Sequence, residues 1–556
     1  MKKYVLKKKK FKTANYKAFS RRQFIQTTIL SAVTPFSVSA FPEVYKKNTQ
    51  NNVDKLFWGD LHTHTNLSDG NGNPEDNFKI AKKHLDFWTM ADHAYDEIVF
   101  PRKRRKIASG GQFLNDHWER VQELCRDYEK NGRFIPFLGY EWTSFRYGHH
   151  NVYYLEYNQP IRIPSTLPEL YASLRNVDAM VIPHHTGYPV RICGKDWDFY
   201  DERLSPFVEI YSQHGSSEES TGLKPLLTNG VLMGPGSSGG SVQEGLGRGY
   251  KFGIMASSDA HGGHPGVYDC GLMGIYANEL TRESLWEAFK NRRVIGVTGD
   301  RISLDFSVNS FPMGSIITGA QKRNISISAV GWDKIDRIDV IKNNSLFHSF
   351  VEPTGHTKTS GKVRFRFLLE WGWDFRDDHE WDGNLKVNGG KILQAIPCCR
   401  GSVANLLGRG IINLSDSGCR WKSKTEKLKS GLFRQSADAI AFEVECNKKE
   451  DILKFYFTCS GMKQQLNLSP IDILGKSTVK YMLDIPPENK SNYWIKMKSR
   501  AKFKIHQGWL TDQLTLNLTC EDNYPEYPDG RADFYYIRLL QKNEQRAWSS
   551  PIWIQQ

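Results

Sequence analysis

No run in the 556-residue sequence reaches the ~18–20 consecutive apolar residues that a membrane-crossing helix requires, so a helical transmembrane anchor is not expected. The nine cysteines contain no C-x-x-C pair, which leaves a zinc ribbon without support. Six of them (Cys398, Cys399, Cys419, Cys446, Cys459 and Cys520) lie in the last third, where an oxidising compartment would permit disulfides that spacing does not assign. GPGSSGG and GLGRG lack the lysine and the strand-to-helix setting of a phosphate loop, which argues against nucleotide binding by that route. There is no internal repeat and no low-complexity stretch beyond a basic leader.

Acidic residues are absent from the first 40 positions, which hold ten of the 75 Lys and Arg. The formal charge of +14 thus falls to +4 for the remainder, 65 basic against 61 acidic, and nucleic-acid binding by the mature body is not expected. The leader contains SRRQFIQTTILSAVTPFSVSA. Arg21-Arg22, Phe24, a short and mildly apolar stretch, and Val38 and Ala40 at the minus three and minus one positions resemble a twin-arginine export signal. This predicts a signal peptide over 1–40, a linker over 41–56, and delivery of the folded protein to the periplasm or the extracellular space. That route suits an enzyme that must load metal before it meets the envelope.

Length alone suggests more than one domain. From 57 to about 300, strand candidates alternate with helix candidates: LDFWTMADHA follows PEDNFKIAKKH, RFIPFLGYEWT follows DHWERVQELCRDYEKNG, and DAMVIPHHTG follows LPELYASLRN. PFVEIYSQHG, YKFGIMASSDAHGG and RRVIGVTGD come next. Such alternation predicts α/β architecture with parallel strands, and this many units favours a barrel with its active face at the C-terminal strand ends. Beyond about 301, segments such as ISLDFSVNS, RNISISAVGW, KVRFRFLLEW, AIAFEVEC and DFYYIRLLQ predict an all-β, sandwich-like domain over 301–556.

Histidine is unevenly placed: twelve of 16 fall between His62 and His264. In WGDLHTHTNLSDG a strand would set His62 and His64 on one face, where two imidazoles reach one ion, and Asp69 follows a turn-like NLSDG. Other strand candidates end in Asp92-His93, Glu141, His184-His185, and Asp259 with His261. Packing does not account for five such strand ends, because buried polar groups are costly unless an ion or a partner compensates. The basic run PRKRRK at 101–106 would attract an anionic substrate or form a solvated loop, and His214 and Glu218 would touch substrate or play a structural polar role.

The series His-x-His, Asp, Asp-His, Glu, His, Asp-x-His resembles the polymerase and histidinol phosphatase (PHP) superfamily. GDLHTHTNLSDG, GYEWT, GHHNVYY, PHH, VEIYSQHGSSE, SSDAHGGHPG, GVTGDRI and the closing AWSSPIWI resemble one bacterial group within it, over nearly all of 57–556. The resemblance implies a distorted (β/α)7 metallohydrolase barrel with two or three divalent ions. His62, His64 and Asp259 would hold a first ion, with Glu141 bridging to a second. One histidine of GHHN and one of PHH would complete the second ion: His149 and His184 are favoured, and His150 and His185 stay open. Asp69, His93 and His261 would hold a third, and Asp92 would orient His93 or a neighbouring ligand. Glu141, His93, Asp259 and His261 are the expected catalytic residues. With imidazoles and carboxylates and no thiolate, the ligand set suits zinc, manganese or iron. The expected activity is hydrolysis of a phosphoester in a small-molecule or glycan-linked anionic substrate. Hydrolysis of an amide or sulfate ester, or non-catalytic glycan binding, are the alternatives.

Overall fold

The computed structural model describes residues 54–94, 105–219, 226, 236–262, 264–353, 361–374, 377–400, 410–426, 437–482 and 501–556, with the side chains of 105–113 excepted. The signal peptide expected over 1–40 and the side chains of the 101–106 run lie outside the described residues.

β1 (Lys55–Asp60) occupies the middle of the N-terminal sheet. α1 (Pro74–His84) begins where the Asn73 side chain accepts from Asp76 N at 2.8 Å and proline opens the first turn, with acids in that turn and bases in the last. β2 (Phe87–Thr89), β3 (His93–Ala94), α2 (Arg105–Tyr128) and β4 (Ile135–Trp142) follow. β2 pairs in parallel with both β1 and β4, and β3 with the end of β4. β5 (His150–Tyr154) then runs antiparallel to β4, and β6 (Ala179–Pro183), reached through α3 (Leu167–Leu174), antiparallel to β5.

β7 (Phe207–Ser212), β8 (Gly215–Ser216) and, after α4 (Val242–Gly247), β9 (Gly253–Ala256) make a separate three-stranded sheet. β10 (Leu272–Ala277) returns antiparallel to β1, and β11 (Val294–Val297), after α5 (Arg282–Lys290), lies antiparallel to β10. Every residue of β4, β6, β7, β9, β10 and β11 is buried, as expected for strands covered on both faces. On one side lie Phe78, Trp88, Val121 and Leu124, on the other Phe87, Phe137, Met255, Met273 and Phe289.

The expected closed (β/α)7 barrel of parallel strands is not what these residues build. The architecture is mixed α/β, largely sheet with few helices, and the ladder runs open from β6 through β5, β4, β2, β1, β10 and β11 into strands near the chain's other end. The departure has a local cause. A parallel neighbour needs a crossover of a dozen or more residues, and the short stretch between Trp142 and His150 permits only an antiparallel return.

Beyond β11 nearly all pairing is antiparallel. Arg546–Ser549 pairs with β11, Asp533–Gln541 pairs with Arg546–Ser549, and the long sheet passes through Ile552–Gln555 to Ile316–Thr318. A four-stranded sheet is formed by Phe311–Pro312, Ser303–Val308, Arg323–Val330 and Thr515–Asp522, and its third strand alternates buried and outward positions. Residues 363–510 contribute two further sheets, of six and five strands, around a core that includes Phe365, Trp371, Trp421, Phe442, Phe455 and Phe503.

Candidate metal centre

Immediately after β1 the chain continues extended, and residues 61–65 run beside 257–261. Thr63 and Ala260 form a parallel bridge, Asp259 N donates to His62 O at 2.8 Å, and His64 N donates to Ala260 O at 2.9 Å. The period of two turns His62 and His64 to one side. There their Nε2 atoms lie 3.1 Å apart, and Oδ1 of Asp259 is 3.5 Å from the first and 3.1 Å from the second. Asp60 fixes the partner segment by accepting from Ser258 N at 3.0 Å and Gly266 N at 2.8 Å.

Asp69 comes back over this face on a turn in which Gly70 N donates to Thr65 O at 2.9 Å. Its Oδ1 stands 3.2 Å from His261 Nε2, 3.6 Å from His93 Nε2 and 3.7 Å from His64 Nδ1. Asp92 contacts the loop after His64. It accepts from Thr65 N and Thr65 Oγ1, each at 2.8 Å, and from Ser68 Oγ at 2.5 Å, so it braces the loop that carries His64 and Asp69.

The pairing of His93 with Glu141 brings the end of β4 to the same place. Glu141 is fully buried, and its two oxygens divide the imidazoles between them. Oε1 is 2.7 Å from His149 Nδ1 and 3.2 Å from His184 Nε2, while Oε2 is 3.0, 3.4 and 3.5 Å from His93 Nδ1, His64 Nε2 and His62 Nε2. His150 turns away, with Nδ1 3.0 Å from Gly148 O and Nε2 3.3 Å from the Lys195 ammonium. His185 stacks edge-on to His184 at 4.1 Å and shares a group of neighbouring ligand atoms with His149 and His184. All nine residues named as metal ligands from the sequence are thus brought together.

The electrostatics are those of a site built around positive charge. Burial pushes Glu141 up, but His93 and His184 outweigh it and hold the carboxyl well below its usual range; His62 does the same for Asp259. Burial, with His261 and His93 beside it, pushes His64 down to about 3. Burial and His62 push His184 down to about 3. Burial lowers His261 too, but Asp69 overrides it and raises the ring to about 10. Buried Glu141 Oε2, Glu209 Oε1, His184 Nδ1 and His185 Nδ1 make no hydrogen bond, although such atoms are normally satisfied. Five overlapping groups of three or four donors, among them His64–Asp69–His93–His261 and His62–His64–Glu141, have ligand atoms close enough to share an ion. The residues fit divalent metal. Asp69 and His261, at 31% and 29% side-chain exposure, form the open rim of an otherwise buried cluster.

Sequence reasoning missed several neighbours. Glu209 lies 3.1 Å from His62 Nδ1; an acid inside the apolar run PFVEIYS was its only signal. Gln213 lies 2.9 Å from His261 Nδ1. His214 touches Asp259 Oδ2 at 3.0 Å and the Tyr188 hydroxyl at 3.0 Å, so it belongs to the cluster. Glu218 is structural: it accepts from Tyr536 Oη at 2.8 Å and Trp548 Nε1 at 3.0 Å. Cys193, which the sequence did not mark, is buried close enough to His149 to raise its ring. No disulfide joins any of the nine cysteines, so the structure contains none of those that the last third would permit. No helix of the described residues is long and apolar enough to cross a membrane.

No protein-family model matches the chain. It is 27% identical over 322 residues to an uncharacterized protein of Chlamydia pneumoniae, covering 53% of this chain and 48% of that one, and 26% identical over 321 residues to one of Chlamydia muridarum, covering 53% and 49%. The chain therefore spans about half the length of the curated relatives it matches. Among solved structures, it is similar at a TM-score of 0.31 and 13% identity to a two-domain protein from Bacteroides vulgatus containing a predicted PHP-like metal-dependent phosphoesterase, covering 78% of this chain and all of that one.

Proposed function

We propose that the protein is an exported metal-dependent hydrolase that cleaves a phosphoester. The observation that carries this reading is the position of Glu141, one buried carboxylate with two imidazoles on one oxygen and three on the other. That is the arrangement a carboxylate needs to bridge two cations. The motif series of the PHP superfamily supports the phosphoester, and the twin-arginine pattern at Arg21-Arg22 supports export.

Three ligand groups account for the cluster. His62, His64 and Asp259 would hold one ion, His149 and His184 a second, and Asp69, His93 and His261 a third, with Glu141 between the first two. Divalent ions held there would supply Lewis acidity and lower the pKa of a bound water toward about 7. The chain's own contribution is placement. The 61–65 and 257–261 segments hold His62, His64, Asp259 and His261 through backbone hydrogen bonds, and all of the proposed ligands but Asp69 and His261 are buried. The Asp69–His261 rim is where an anionic substrate would enter.

The test is to measure metal per chain by elemental analysis and then phosphate or alcohol release from p-nitrophenyl phosphate and bis-p-nitrophenyl phosphate, for the parent and for Glu141→Gln. Bound zinc, manganese or iron in the parent with turnover of either ester, reduced at least about a hundredfold in Glu141→Gln, is expected. A metal-loaded parent that hydrolyses neither ester but cleaves an amide or a sulfate ester would move the reading to that bond.

A further inference from the structure

The acid inside β7 has no role in the ligand groups above. Glu209 is fully buried, on a strand whose every position is buried, and such a carboxylate is retained only with a compensating partner. Its partner is one atom: Oε2 lies 3.1 Å from His62 Nδ1, and Oε1 has no hydrogen-bond partner. The opposite nitrogen of the same ring, Nε2, faces His64, Glu141 and Asp259. An imidazole cannot direct both nitrogens at one ion, so Glu209 stands behind the ring. Its ligand atoms also group with those of His62 and His184 alone, but that group includes neither Glu141 nor Asp259.

We infer that Glu209 is the positioning residue of the metal centre, holding His62 by an Nδ1–H hydrogen bond so that Nε2 is the nitrogen offered to metal. The inference rests on the metal-dependent reading above. The carboxylate fixes both the tautomer and the ring plane, which a metal ligand with a tolerance of about 0.2 Å requires. The same hairpin repeats the device. Gln213 and His214, in the turn between β7 and β8, lie 2.9 Å from His261 Nδ1 and 3.0 Å from Asp259 Oδ2. One continuous stretch, 209–214, therefore backs His62, Asp259 and His261, which lie on two other segments.

The experiment is competition for zinc between a chromophoric chelator and the full chain, comparing parent, Glu209→Ala and Glu209→Gln, with thermal unfolding of each in excess chelator. The expected result is zinc affinity about ten- to a hundredfold weaker in Glu209→Ala and within about threefold of the parent in Glu209→Gln, whose amide oxygen still accepts from Nδ1–H. Metal-free unfolding temperatures should stay close for all three. Equal affinity of parent and Glu209→Ala would overturn this inference alone, whereas a parent that binds no zinc would overturn the metal reading and this inference with it. If Glu209→Ala does not fold, ¹⁵N-histidine NMR of the zinc-loaded parent decides. His62, assigned by loss of its signal in His62→Gln, must carry hydrogen on Nδ1, and the reverse tautomer would overturn the inference.

Discussion

His62 and His64 meet nitrogen to nitrogen, Nε2 to Nε2 at 3.1 Å. Two bare lone pairs do not approach so closely, and without metal a proton must lie between them. Burial opposes charge on His62, but Asp259 and Glu209 hold it well above its usual range, while burial drives His64 down to about 3. His62 is therefore the donor and His64 the acceptor.

A divalent ion taking that place must expel the proton. Burial also opposes charge on His149, yet Cys193 and Glu141 raise it to about 10, and His261 is raised to about 10 by Asp69. These rings enter the metal-free state protonated at pH 7. We expect zinc binding at pH 7 to release more than one proton per chain, measured by calorimetry in buffers of different ionisation enthalpy. Identical heats in all buffers would contradict it.

Gly70 lets the turn bearing Asp69 lie directly on the backbone it returns to. A Cβ there would fall 2.4 Å from the carbonyl carbon and oxygen of His64. Gly70→Ala should push the turn outward and withdraw Asp69 from His93 and His261. Bound metal should fall without vanishing, because Glu141, His149 and His184 lie on other segments. Elemental analysis checks this, and full parental content would show that the turn yields at no cost.

Lys195 is buried, and burial pushes its ammonium down to about 7. Its folded value lies below its unfolded one, so the folded state disfavours the proton. Stability should rise with pH between about 7 and about 10.5, by on the order of a few kcal/mol, and the gain is lost as pH falls toward 7. Lys195→Met should flatten that slope relative to the parent in unfolding experiments at pH 7 and pH 9.5. Parallel curves would show that the ammonium is better solvated than its burial implies.

The residues that cluster were legible because they break a pattern. Glu141, Asp259 and His184 end apolar strands, and a strand's alternation puts His62 and His64 on one side without reference to anything distant. The choice of His149 beside Glu141 agrees with the geometry because His150 is engaged by Gly148 and Lys195, facts that only the fold supplies. Glu209, Gln213 and Cys193 acquire meaning by contact alone and carry no spacing signature. The open sheet was misread as a barrel for a related reason. Strand candidates show where strands lie, whereas the direction of β5 depends on how few residues join it to β4, and the pairing of β11 with Arg546–Ser549 has no local trace at all.

Glu218 sets a condition on the order of events during synthesis. The hairpin behind His62, Asp259 and His261 is anchored through this carboxylate to Tyr536 and Trp548, the latter 330 positions downstream. A ribosome that has delivered all nine proposed ligands has therefore not yet delivered the groups that hold their support in place. Until the final strands emerge, Glu218 lacks the Tyr536 and Trp548 donors, and the nascent chain carries the proposed ligands without this anchor. Under the metal reading proposed above, capture would belong to the finished polypeptide, and the interval before it would be when the histidine-rich half is open to the wrong ion.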